Sequence, residues 1–350
     1  MTVLITAPYH DEGLKELTEL FGRTVHRPWN KHGRAYREDE LIRMIQETNA
    51  AGLITELDEV SERVIDILPD SAFIGVCRGM PSNVDIEAAT KRKIPVFFTP
   101  ARNAQAVAEL FIGNVISFLR HTYSSHQWLK DGKWNGDYLQ AYVKFRGNEL
   151  TGKTVGLIGF GAVGQRIARL LAAFDCKVLY YDPFVNHENR EYEKTTMERV
   201  FSESDIVSVH LPRTEETIGL IGAKHFQLMK QEAVFVNTSR AAVTDREELL
   251  RVLKERRIKG AILDVFYHEP PESSDYELIS LPNVLATPHL AGATFEVEDH
   301  HVRILNDALF KWKKDQTCSI RELYNKKRTC NKGIAKGGIC NGRTKRLPCI

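Results

Sequence analysis

Apolar residues come in short runs that alternate with amphipathic stretches, and this alternation restarts partway along the chain. Strand-like runs over residues 3–7, 51–57, 73–77 and 94–98 are separated by helical spacings over 12–20, 39–45, 60–68 and 86–93. Strands and helices taking turns predict a parallel sheet covered by helices, so the first hundred residues read as one small α/β domain. Ala104, Val107, Ala108, Phe111, Ile112, Val115 and Ile116 follow at helical spacing, predicting a long helix that carries the chain onward. Residues 121–150 are polar and aromatic with weak periodicity, and predict a connecting excursion over the surface, a candidate contact between copies of the chain. After it come strand patterns near 155–158, 206–211, 234–237, 261–265 and 284–287, with helices near 197–201, 224–229, 247–256 and 297–312. The second half is thus another α/β domain, and no internal repeat links the two.

One segment of the second half carries more information than the rest. Residues 154–182 read TVGLIGFGAVGQRIARLLAAFDCKVLYYD: an apolar strand, glycines 159, 161 and 164 spaced G-x-G-x-x-G, a helix, and a second strand ending in Asp182. Gly159 permits a tight turn, Gly161 lets backbone approach a pyrophosphate, and Gly164 allows close helix–strand packing. The helix N-terminus, with Ala162 and Val163 in its first turn, would then offer unpaired N–H groups to phosphate. An acid at the end of the second strand can accept hydrogen bonds from ribose hydroxyls and repels a 2′-phosphate, which favours NAD over NADP.

Composition bounds the remaining possibilities. The chain has 350 residues, 43% of them hydrophobic, enough for two cores. No apolar stretch approaches the roughly 18 residues of a membrane span, and MTVLITAPYHDEG reads as a first strand without a basic leader. No HExxH, CxxC or carboxylate-rich metal pattern is present. Cys77 and Cys176 fall in apolar segments, which fits reduced thiols and a cytoplasmic setting. Residues 318–350 differ from everything before them, with nine Lys/Arg, one acid (Glu322), four cysteines and no periodicity. They predict a flexible basic tail, and against a net charge of +2 for the whole chain they leave residues 1–317 acidic. The cysteine spacing does not suit zinc, and a nucleic-acid partner is not expected.

Doubly wound sheets hold ligands at the carboxyl ends of their strands, where four polar clusters stand: 77–85, 237–240, 264–270 and 287–290. Exchanging an alcohol with a ketone needs a proton donor near neutral pH, for which histidine is best suited. A cationic fork can hold a carboxylate, and an acid beside the histidine would hold its tautomer and stabilise the imidazolium. His289, Arg240 and Glu269 supply those types; His268 is expected to point away from Glu269.

The segments NVDIEAATKRKIPVFFTPARNAQAVAEL, GNELTGKTVGLIGFGAVG, YDPF, HLPRTEETIGLI, VNTSRAAVTDREELLRVL, GAILDVFYHEP and LPNVLATPHLAGAT resemble the D-isomer-specific 2-hydroxyacid dehydrogenase family in order and spacing. The resemblance implies two Rossmann- or flavodoxin-like doubly wound domains. The NAD domain (102–288) would be inserted in a discontinuous substrate domain (1–101 and 289–317). It implies that Arg240 binds the substrate carboxylate and carbonyl, that Glu269 pairs with the imidazole, and that His289 is the acid/base. NAD would be lined by Val107, Leu211, Pro212, Thr217, Thr238 and Ser239, with Asp264 holding the nicotinamide carboxamide. Arg78, Gly79 and Met80 would face the substrate carboxylate, and the protein would be a homodimer. The loop CRGMPSNVD departs from the family's glycine-rich pattern, so phosphoglycerate does not transfer as substrate; the tail has no place in the pattern. A non-enzymatic NAD-sensing protein resembling dehydrogenase-like corepressors is the alternative.

Overall fold

The computed structural model describes residues 1–31, 33–185, 191–315 and 320–326. The chain divides into two compact units, one formed by residues 1–103 with those from 294 on, the other by residues 104–293.

The first unit holds a five-stranded, all-parallel sheet: β1 (Thr2–Ile5), β2 (Arg23–His26), β3 (Ala50–Thr55), β4 (Phe73–Val76) and β5 (Val96–Phe98), in the order β2-β1-β3-β4-β5. Alternation along each strand sorts its side chains to opposite faces. Leu4, Leu53, Ile74 and Val76 enter one core with Leu41, Val64 and Ala88 of the covering helices. Val3, Ile5, Phe73 and Phe97 enter another with Leu17, Val302, Leu305 and Leu309. The helix Glu296–Asp315 is thus the last layer of the first unit, although it lies nearly two hundred residues away in sequence.

The second unit holds seven parallel strands: β6 (Thr154–Ile158), β7 (Lys177–Tyr181), β8 (Tyr192–Lys194), β9 (Ile206–Val209), β10 (Val234–Asn237), β11 (Gly260–Leu263) and β12 (Val284–Ala286). Their order is β12-β11-β10-β9-β6-β7-β8, the doubly wound arrangement with its reversal at β6 and β9. Helices Ala104–Leu119 and Ala162–Ala172 cover one face through Phe111, Val115, Ile167 and Leu171. Phe201, Phe226, Leu249 and Leu253 cover the other.

The structure adds to the sequence reading at several places. Residues 121–150 contain two helices, Thr122–Lys130 and Tyr138–Lys144; neither buries a side chain, so no apolar stripe marked them. The edge strands β2 and β8 were missed because they are short and mostly half-exposed, which blurs strand alternation. The tail does not begin at 318. Ile320 and Leu323 are buried, and backbone hydrogen bonds join Phe98 N–H to Glu322 O and Tyr324 N–H to Val96 O. Asn325 Oδ1 accepts from Val96 N–H at 3.0 Å, so residues 320–326 cover the open edge of β5. The rest of the cysteine-bearing tail lies outside the described residues. The two compact units part after Asn103 and Ala293, which puts His289 in the second. The reason is local and lies in the grip of Asp264 on residues 287–291.

Candidate active site

At the reversal point of the seven-stranded sheet, Gly159 follows β6 with φ +94°, a backbone region that side chains resist. A Cβ there would stand 2.5 Å from His210 O, and one on Gly164 would stand 2.6 Å from Gly159 O. Both glycines are therefore required by the tight packing of turn on helix and on the end of β9. Gly161 caps the helix Ala162–Ala172, whose first turn contains Val163. Asp182, which follows β7, is buried; its Oδ2 accepts from Phe160 N–H at 2.8 Å, and its Oδ1 from Phe184 and Val185 N–H at 2.8 and 3.0 Å. Three backbone donors thus occupy most of its roughly four acceptor directions, and the acid braces the glycine turn as well as facing it. His210 beneath the turn is buried and lies 2.9 Å from Ser208 Oγ, and burial pushes its pKa down to about 3, so it stays neutral.

The other cofactor candidates lie on neighbouring strand ends. Leu211 and Pro212 follow β9, and the Thr217 hydroxyl donates to Pro212 O while accepting from Thr214 N–H, which closes that loop on itself. Ser239 Oγ donates to Asn237 Oδ1 at 3.0 Å. Thr238 is buried, and among the described residues its Oγ1 has no hydrogen-bond partner. A buried hydroxyl left alone is costly, and a polar ligand group at the end of β10 would satisfy it. Val107 is buried on the 104–119 helix. A cradle that side chains would fill, a free helix N-terminus and an orphaned hydroxyl together fit a dinucleotide.

The acid/base candidates come from the ends of β11 and β12. His289 Nδ1 lies 2.6 Å from Glu269 Oε2, and Glu269 Oε1 accepts from Phe266 N–H at 3.2 Å. His289 itself sits at φ +50°, with its N–H donating to Thr287 O at 2.9 Å. That left-handed backbone is held by Asp264, which is fully buried. Asp264 Oδ1 accepts from Thr287 Oγ1 at 2.5 Å and from Leu290 N–H at 3.0 Å, and its Oδ2 from Ala291 N–H at 2.9 Å. The carboxylate therefore clasps the loop on both sides of His289, a role that no local sequence signal announces. His268 does point elsewhere: its Nδ1 lies 2.9 Å from Asp275 Oδ2.

Arg240 is exposed, and Nη1 donates to Ser239 O at 2.6 Å. Its own carbonyl accepts from Asn237 Nδ2 at 3.0 Å, which fixes the backbone beneath it. Among the described residues no carboxylate pairs with it. Arg78, Gly79 and Met80 belong to the first unit, where they follow β4; Arg78 O accepts from Thr99 N–H at 2.9 Å, and a Cβ on Gly79 would meet nothing. Among the described residues no cluster of metal-ligating side chains occurs.

A doubly wound sheet with a glycine cradle and a histidine–carboxylate pair on its carboxyl edge has the parts that a nucleotide-dependent oxidoreductase needs. The profile of the "D-isomer specific 2-hydroxyacid dehydrogenase, NAD binding domain" matches residues 112–291. A Bacillus subtilis (strain 168) protein, YoaD, named as a 2-hydroxyacid dehydrogenase, is 71% identical over 93% of this chain and 95% of its own. The glyoxylate reductase of Thermofilum pendens is 36% identical over 84% of this chain and 86% of its own. Among solved structures, apo D-lactate dehydrogenase of Escherichia coli superposes with a TM-score of 0.70 at 26% identity, covering 91% of this chain and 99% of the other. The chain belongs to the D-isomer specific 2-hydroxyacid dehydrogenase family and is an NAD-dependent oxidoreductase.

Proposed function

We propose that the enzyme interconverts a small D-2-hydroxy acid and its 2-oxo acid, with His289 as acid/base, Glu269 as its partner and Arg240 as the carboxylate-binding residue. The observation that carries this is the 2.6 Å contact between His289 Nδ1 and Glu269 Oε2. An ionised Glu269 makes Nδ1 the donor, which leaves Nε2 to hold the proton exchanged with substrate oxygen. In reduction Nε2 gives its proton to the carbonyl oxygen, and in oxidation it takes the hydroxyl proton. Bound nicotinamide supplies the hydride acceptor or donor; Gly159, Gly161, Ala162, Val163, Gly164 and Thr238 would hold the dinucleotide, and Asp182 offers its remaining acceptor direction to ribose. Arg240 presents a planar fork to the substrate carboxylate. Backbone N–H groups at Arg78–Gly79, with Met80 beside them, are the proposed further contacts of the substrate carboxylate. A non-enzymatic sensing role is not favoured, since the relatives are named as a dehydrogenase and a reductase.

The test is loss of NADH absorbance with glyoxylate, pyruvate, hydroxypyruvate, phosphohydroxypyruvate and 2-oxoglutarate. Turnover of at least one supports the reading, and tight NADH binding with no turnover counts against it. Asp264 has a separate test. Asp264→Asn puts an NH2 group against backbone donors, so the loop shifts and kcat is expected to fall about 10²-fold, as displacements near 1 Å cost. NADH affinity should change little; if affinity falls instead and kcat survives, the carboxylate acts on the cofactor and not on the His289 loop.

We also infer a homodimer. Tyr123, Leu129, Trp134, Tyr138, Tyr142 and Val143 are all at least 47% exposed on the two helices of residues 121–150 and the turn joining them. Apolar area of this kind is typical of a surface covered in the assembly. Light scattering should give the mass of two chains, and Tyr138→Glu with Tyr142→Glu should give one. Among the described residues Cys77 and Cys176 are both free thiols, which supports a cytoplasmic location, to be checked by cell fractionation.

A further inference from the structure

The carboxyl edge of the five-stranded sheet carries a group of charges that the reaction above does not use. Glu56 follows β3 and is 11% exposed at its side chain; Arg102, beyond β5, is 18% exposed, and its Nη1 lies 2.7 Å from Glu56 Oε1. The second oxygen of Glu56 accepts from Trp29 Nε1 at 3.1 Å. Arg102 Nη1 also lies 3.1 Å from His301 Nδ1. A guanidinium can only donate, so Nδ1 is the bare nitrogen and Nε2 carries the hydrogen toward Pro8 O at 2.9 Å. His301 is therefore neutral, in keeping with burial pushing its pKa down to about 4. It adds no positive charge.

A second carboxylate stands in the same group. Burial first, then the Asp299 and Glu56 charges, raise the pKa of Glu298. The Cys77 thiol, directly after β4, is pushed up by burial and by Glu56 and Glu298, with Arg102 opposing. All three charged groups thus act at the start of the Cys77–Met80 loop. Arg102 is cancelled by Glu56 at contact distance, so the pair adds no net charge to this edge, and the Glu298 and Asp299 carboxylates add only negative charge beside it.

A second anion on a substrate needs an uncancelled cation to offset its loss of water. We propose that Glu56 is a specificity-determining residue: by neutralising Arg102 it leaves this edge without net positive charge and restricts the enzyme to 2-oxo acids bearing one anionic group. The proposal rests on the reading that the Cys77–Met80 loop receives the substrate carboxylate.

Two matched pairs test it, because each differs in the second anion: hydroxypyruvate against phosphohydroxypyruvate, and pyruvate against oxaloacetate. The wild-type enzyme should favour the singly charged member at least hundredfold in kcat/KM. Glu56→Gln removes the charge with little change of shape and releases Arg102; the preference should shrink at least tenfold, mainly through KM for the doubly charged member. Glu56→Gln combined with Arg102→Gln should restore it, with NADH binding confirming that each variant is folded. Equal use of both members by wild type, or an unchanged ratio in Glu56→Gln, overturns the proposal. If Glu56→Gln does not fold, Arg102→Gln alone decides. It should keep or strengthen the preference, because it leaves the Glu56 carboxylate uncancelled, and a reduced preference overturns the idea. No turnover of any oxo acid would instead remove the dehydrogenase reading on which the proposal stands.

Discussion

His289→Ala is expected to lower kcat for oxo-acid reduction by about 10³-fold, within the range that a positioned general acid contributes, while NADH still binds. The separation follows from geometry. His289 reaches Glu269 from the end of β12, whereas the glycine turn proposed to hold the cofactor is built from the end of β6 and the helix that follows. The substitution also acts on the backbone, since residue 289 has φ +50° and alanine gains nothing there. His289→Asn is the cleaner variant, because asparagine tolerates left-handed backbone and cannot serve as the acid. Both should lose turnover alike, with thermal stability closer to wild type for asparagine. If either variant keeps near wild-type kcat, the acid/base assignment fails. If both lose NADH affinity with turnover, the loop has collapsed, and stopped-flow binding of NADH will show it.

The glycine turn was legible in the sequence because its logic is local. Gly159, Gly164 and Asp182 fall within one strand–helix–strand unit, where each residue's task follows from its spacing. Glu269 and His289 were legible as residue types, but their contact depends on β11 and β12 being neighbours, which is a property of the whole sheet. The clasp of Asp264 on Thr287, Leu290 and Ala291 was hidden for the same reason, and so was the ion pair of Glu56 with Arg102, which joins two strand ends 46 positions apart. The two helices of residues 121–150 escaped notice for a different reason: their apolar side chains face no core of the same unit, so no stripe is repeated. Residues 320–326 escaped because Ile320 and Leu323 are the only buried apolar side chains among them, too short a run to stand out in a basic segment.

Arg240→Leu should be the other large loss, about 10²–10³-fold in kcat/KM, as expected when charge-assisted hydrogen bonds to one carboxylate are removed. The side chain is exposed, its head group donates only to the adjacent Ser239 carbonyl in the described hydrogen bonds, and Asn237 fixes the backbone below it. A residue with a fixed base and an uncommitted cation costs little to remove in the substrate-free protein, so the variant should melt within a few degrees of wild type. Arg240→Lys tests geometry as opposed to charge. Lysine keeps the cation but presents a point charge where a planar fork would grip both carboxylate oxygens, so it should recover only part of the loss. Full recovery by lysine would mean that Arg240 acts through charge alone. A variant with unchanged kcat/KM would move carboxylate recognition away from this residue, and the backbone N–H groups at Arg78–Gly79 would then be the next place to look.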